Sequence, residues 1–154
     1  MKVGIQKVHE NEWLVQMGCA IMRLDRFSVE LLNITLEHML ALAHGENHST
    51  LKSYIKLGLK LKQLSTTDMQ TVIREVDNRD LVVMLGLAKD QELIDKVFHN
   101  VGAILAKQME ADLLNNPLPE GEEAKNCVRR LAKKLFELDS KGIIEFIDEN
   151  TQYI

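Results

Sequence analysis

Aromatic side chains are scarce in this chain, 5% of its 154 residues, too few for a sheet-based core built on ring packing. Proline occurs twice, at Pro117 and Pro119, so only that stretch is marked as a stiff, extended turn. The two cysteines, Cys19 and Cys127, lie far apart and form no motif. Two buried thiols in a reducing cytosol are preferred to one long-range disulfide. No apolar run is long enough to span a bilayer, and no charged segment leads into an apolar one as a secretion signal would. Without such a signal, Asn33-Ile34-Thr35 and Asn47-His48-Ser49 match the glycosylation pattern by chance. Basic charge is not in excess: 23 acidic residues face 19 basic ones, which gives no general attraction to nucleic acid or anionic membranes. Gly-rich phosphate loops, G-x-S-x-G elbows and kinase signatures are also missing.

What is present is helical in character. Leu, Ala, Lys and Glu abound, and 45% hydrophobic with 27% charged residues is ordinary for a globular protein. The length suits one domain or one compact helical array. Residues 2–8 alternate weakly and read as a short strand or an ordered tail. Trp13, Leu14, Met17, Ala20, Ile21 and Leu24 recur at helical spacing from about 12 to 23. A second helix is expected from Phe27 to Ala43, with Leu31, Leu32, Leu36 and Leu40 inward and Gly45 as its stop. Ser49 opens a third through Leu51, Tyr54, Ile55 and Leu59.

The most informative stretch is 66–81. Thr67 with Gln70 suggests a capping box, and Met69, Val72, Ile73 and Val76 then share one helical face. Asn78 is the expected N-cap of the next helix, whose apolar residues begin at Leu81. Asp90 caps a short helix over 91–98, and a helix over 100–115 follows, with Val101, Ile104, Leu105, Met109 and Leu113 inward. After the proline turn, Glu120, Glu122 and Glu123 start the last long helix, where acids suit the positive end of the dipole. Val72, Ile73, Val76, Leu81, Val97, Leu105 and Leu135 are expected to be buried together, and Ile143–Ile147 to run extended against the helices. Of the seven methionines, Met17, Met22, Met69 and Met109 fall on core stripes and are read as core filling.

Enzymatic and metal chemistry find little support. His44 and His48 flank Glu46, but Gly45 and Asn47 make the segment a polar turn, and zinc needs three or four convergent ligands. Cys127 lies beside a basic cluster but has no histidine near it in sequence to act as base, so a buried thiol is expected. No metal ligand, catalytic residue or cofactor is assigned.

The wording of 74–81, R-E-V-D followed by D-L and an apolar run, resembles the C-terminal domain of the flagellar motor switch protein FliG. The similarity runs from about Lys60 to Ile147 and keeps the order of elements: Leu85-Gly86-Leu87-Ala88 where the family has L-K-G-A, the asparagine after a capped helix at Phe98-His99-Asn100, a charged helix, the proline turn, Glu122-Glu123-Ala124, and a closing Gly142–Ile147. The resemblance implies an all-α fold, a right-handed superhelical array of short helices of armadillo type. Residues 1–59 would form an N-terminal helical region and 60–154 the family domain, packed as one unit.

It also implies a cytoplasmic rotor component at the inner face of the membrane. Such a component transmits torque and switching through contacts with other rotor and switch proteins and the stator. It would self-assemble and take no nucleic acid or small-molecule substrate. The family's charged helix has an arginine near its start and paired acids near its end. Here those places hold Ile104, and Ala111 followed by Asp112; the L-K-G-A lysine is Gly86, and the arginine expected after the proline turn falls near Glu120. Asp112 carries over, and Lys107 and Glu110 complete the expected partner-binding set on the solvent side. The first 50 residues match no ring-anchoring domain of the family, as in a shortened form or a divergent stand-alone relative. The alternative function is a non-motor helical adaptor that keeps the fold and binds another protein.

Overall fold

A computed structural model describes residues 1–43, 45 and 48–147; His44, Glu46 and Asn47 of the two-histidine segment lie outside the described residues. Two units divide the chain, Met1–Ser49 and Thr50–Ile154.

The first unit corrects the expectation of helix at the N-terminus. Three antiparallel strands, β1 (Val3–His9), β2 (Glu12–Met17) and β3 (Ala20–Asp25), form a meander in chain order. Val3 pairs with Met17, Ile5 with Val15 and Val15 with Met22, so these side chains share one face. The spacing of Trp13, Met17 and Ile21 fits a helix, but Gly18 sits at φ 62° in a tight turn, a conformation glycine enters without a steric cost. Once the chain reverses there, Trp13, Val15 and Met17 read as period two. Asp25 then caps α1 (Arg26–Ala41), its carboxylate accepting from the Ser28 N–H at 2.8 Å. Phe27 and Ile34 are the buried residues of α1, while Leu36 and Leu40, expected inward, are exposed. Met17 and Met22 are exposed too, and so is Cys19, contrary to the expected burial of both thiols.

The second unit is helical among its described residues. It runs α2 (Thr50–Gly58), a 3-10 helix (Leu59–Gln63), α3 (Thr66–Glu75), α4 (Asn78–Ala88), α5 (Gln91–His99), α6 (Ala103–Asn115) and α7 (Gly121–Ser140). Side chains cap three of these helices. Ser65, not Thr67, caps α3 through the Asp68 N–H at 3.2 Å; Asp77, not Asn78, caps α4 through the Arg79 N–H at 2.8 Å; Asp90 caps α5 through the Leu93 N–H at 3.0 Å. At α4 the acid Asp77 suits the dipole better than the neutral Asn78 one place on.

Helix α7 is the core's main surface. Ala124, Cys127, Val128, Leu131, Ala132, Leu135, Phe136 and Leu138 are buried along it, against α2, α3 and α4. Met69, Val72, Ile73, Leu81, Met84, Leu85, Leu93, Val97 and Met109 complete the cluster. Val76 and Leu105 are only partly buried against it, and Ile104, expected inward, is 87% exposed. Residues 143–147 run without helix along the unit. Ile144 is buried, the Ile147 N–H donates to Gln63 O at 2.8 Å, and the Phe146 ring lies 5.7 Å from that of Phe136, with the Lys60 ammonium near both.

A polar latch ties α5 to the 3-10 helix. Lys62 donates to Asp90 at 3.1 Å, and Lys96 donates to Lys62 O at 2.8 Å and to Leu64 O. The Leu93 N–H, then the Lys62 ammonium, hold the Asp90 carboxyl below its ordinary value of 3.8, and Lys62 is raised in turn, chiefly by the hydrogen bond to Asp90. A depressed carboxyl stabilises the fold above its unfolded-state pKa, and that contribution is lost as pH falls through the folded value. Asp90→Asn, which keeps a capping oxygen but loses the charge, should therefore lower the melting temperature at pH 7 and flatten its fall below about pH 4, where the two proteins converge; an unaltered acid slope would exclude the latch. In urea unfolding, Leu131→Ala should cost about 2–5 kcal/mol and Ile104→Ala within about 0.5 kcal/mol, with the half-buried Leu105 between them.

Candidate functional site

The expected partner helix is α6, and its sides differ in chemistry. Met109 is buried, and Val101, Leu105 and Leu113 are partly buried in the core behind it. Lys107 and Glu110 are exposed, as are Ile104, Ala111 and Leu114. Asp112 is half-buried at the rim of a groove instead of standing free on the solvent side.

That groove, about 450 Å³, lies between α6, the start of α4 and the proline turn. Val82, Val83, Leu105 and Met109 give it an apolar floor. Arg79, Gln108, Asp112 and Asn116 supply polar groups at its edge. The Asn116 amide donates to the Asp112 carboxylate at 3.2 Å, while its backbone N–H closes α6 on Asp112 O at 3.1 Å. Asn116 is extended (φ −99°, ψ 131°), as a residue before proline must be.

The proline turn is anchored by a close contact that the sequence did not reveal. A Cβ on Gly86 would stand 2.5 Å from Leu118 Cδ2, so the bare backbone of α4 is what lets Leu118 seat there. The departure from the family lysine thus has a packing cause, and a glycine inside a helix pattern was its one visible signal. An ion pair between a buried acid and an exposed arginine also escaped sequence reasoning. Asp80, 4% exposed, takes Arg130 Nε at 2.9 Å and Nη2 at 2.8 Å on its two oxygens, joining α4 to α7 across 50 positions of sequence. Arg79 pairs with Glu123 near the same helix ends. Cys127 lies 3.5 Å from Arg130, yet burial first, then its hydrogen bond to Asp80 and that carboxylate's charge, push the thiol up from its ordinary value. It is a packed thiol held away from the nucleophilic thiolate form. Among the described residues no group of three or more His, Cys, Asp or Glu is placed to hold a metal. His48 stands with its ring 5.4 Å from that of His38, and His99 is exposed at the end of α5.

The second unit is, among its described residues, a small helical module that offers one charged-and-apolar helix beside a shallow groove. The family model of the FliG C-terminal domain matches residues 58–146, over half of the chain, and the chain belongs to that family. The match spans the 3-10 helix through the strap at 143–146. Its members are structural components of the flagellar motor switch on the cytoplasmic side, and the family is not known for enzymes. No curated protein matches the chain. No helix among the described residues is long and apolar enough to cross a membrane.

The Gly86–Leu118 contact is testable by a double-mutant cycle. Gly86→Ala gains helix propensity, about 1 kcal/mol, but displaces Leu118, and overpacking costs about 1–3 kcal/mol. Alone it should be neutral or destabilising and should speed amide exchange at 116–121; in a Leu118→Ala background it should stabilise. Equal effects in the two backgrounds would show that the side chains do not meet.

Proposed function

We propose that this chain is a rotor component of the flagellar motor switch, in which α6 passes torque or switching signals through contacts with charged partners. The observation that carries the reading is the match of the FliG C-terminal domain to residues 58–146, the stretch that contains α6 and the groove. The partner-binding residues are Lys107 and Glu110 on the open side and Asp112 at the groove rim. The partners are other rotor and switch proteins, the stator and further copies of the chain, and within each chain the short helices form a right-handed superhelical array of armadillo type. Residues 60–154 are the working module, held peripherally at the cytoplasmic face of the inner membrane, and the process served is motility and its chemotactic control.

A charge still in contact with solvent, as Asp112 is at the groove rim, contributes about 0–1 kcal/mol to stability, but such charges control encounter with a charged partner strongly. An Asp112→Lys strain should therefore make flagella and accumulate the protein normally while swimming poorly. Normal swimming in that strain would reject the reading.

A second reading, a non-motor adaptor, is favoured by one feature. Ile104 is 87% and Leu114 79% exposed, and with Ala111 they make an apolar strip where the family's helix carries an arginine and an acid. An adaptor would use that strip for an apolar partner surface. In that case a deletion strain swims normally, and Ile104→Asp abolishes co-purification of the partner while Asp112→Lys does not.

A further inference from the structure

The N-terminal unit has a core too small for the apolar surface it carries. Its buried hydrophobic residues, among those described, are Val15, Phe27 and Ile34, and a unit of this size ordinarily needs further cover. Helix α1 is apolar on more than one side: Phe27 and Ile34 meet the sheet, while Leu36, Met39 and Leu40 stand 52%, 52% and 87% exposed. A helix apolar around much of its girth is normally buried on both sides. Val3 and Ile5 on the free edge strand β1 are 67% and 61% exposed. A groove between β1 and α1 is lined by Ile5, Val29, Glu30, Leu32, Asn33 and Leu36.

The backbone of β1 says what fits beside it. The Gly18 N–H donates to Lys2 O at 2.7 Å, so Lys2, Gly4 and Gln6 turn their N–H and C=O groups toward β2, by the alternation of an antiparallel ladder. Val3, Ile5 and Lys7 turn theirs outward. Their side chains also stand on the face that α1 covers, since Ile5 pairs with the buried Val15. Free backbone and open apolar surface thus coincide at Val3 and Ile5, with the Lys7 ammonium over the Trp13 ring at the end of the strand. An antiparallel partner strand centred on Ile5 places Ile5 opposite Ile5 and Val3 opposite Lys7, so no like charges oppose one another. The strand is complementary to itself. The other edge, β3, carries Arg23 and runs directly into α1, a charged and shortened edge of the guarded kind.

We propose that a second copy of this chain covers this surface. The two β1 strands pair around a two-fold axis at Ile5 into one continuous six-stranded sheet, and the Leu36 and Met39 sides of the two α1 helices close over the seam. The interface is isologous, as a two-fold pair requires. It lies outside the residues matched by the family, 58–146, and does not rest on the motor reading.

The test uses the full chain. Cys19 is exposed, so Ile5→Cys is made in a Cys19→Ser background. Paired residues at such a position stand about 5.5 Å apart between Cα atoms, within disulfide reach. Mild oxidation should convert Ile5→Cys to a covalent dimer of twice the 17.6 kDa chain mass, whereas Glu10→Cys, in the turn after β1, should remain monomeric. By sedimentation the unmodified chain should be a dimer at concentrations well above micromolar. Ile5→Lys should weaken association at least about tenfold, one charge set against its copy across a dry seam. Its helical circular dichroism should be unchanged, because Ile5 is exposed within the single chain. A monomeric native chain would overturn the proposal, whatever else covers the face. So would crosslinking no greater for Ile5→Cys than for Glu10→Cys, or a dimer indifferent to Ile5→Lys.

Discussion

Burial of one face of α7 is the constraint on which the C-terminal unit depends. The helix is about 30 Å long, and its inward residues reach from Ala124 to Leu138. Helices α2, α3 and α4 all find cover there, each too short to be stable alone in water. A charge placed at Leu131 or Leu135 would remove the shared wall of several helices at once. The Asp80–Arg130 pair acts on the same joint. With both carboxylate oxygens taken by one guanidinium, α4 has one favourable register on α7, and any slip would leave a buried charge without its partner.

Helix α6 is held differently. It reaches the core through Met109 and partly through Leu105 and Leu113, against α4, so most of its circumference stays open. Its direction toward α7 is set by the proline turn, which Leu118 pins to the bare backbone of Gly86. A helix attached along a narrow stripe and braced at its C-terminal end is suited to presenting side chains to another protein. Chemistry on substrate asks instead for convergent groups in an enclosed site. The charges at Lys107 and Glu110 and the apolar strip at Ile104 and Leu114 lie on that open girth, and Asp112 sits at the groove rim beside it.

The N-terminal unit follows the opposite economy. It has little interior, and its ordered shape comes from backbone pairing between adjacent strands and from α1 laid on one face of the meander. Sheet and helix both keep apolar residues at their margins, and a strand edge with outward N–H and C=O groups is a template for another strand. The physical tension lies between a small core and a large apolar rim.

Much of the C-terminal unit was legible from residue order alone, because its signals are local. Capping acids before apolar runs, i, i+3, i+4 spacing at Met69, Val72 and Ile73, and the pair of prolines each act within a few residues. They located α3 to α7 to within a few residues, and the order of these elements carried the family resemblance. Local signals misled where two periods fit one stretch. The residues from Trp13 to Leu24 satisfy helical spacing, and only pairing between strands on either side of Gly18 selects the sheet. Which turn of α6 faces the core was also undecided by pattern, since Ile104 and Leu105 are both apolar and α4 contacts one of them. The Asp80–Arg130 pair and the Gly86–Leu118 contact join residues far apart in the chain, and no local spacing announces such partners. In the C-terminal unit, sequence by itself determined where helices start, stop and turn to within a few residues, because those depend on nearby backbone hydrogen bonds. Tertiary structure alone decided which apolar residues are buried and which charges stand free, because burial is settled by what arrives from elsewhere in the chain.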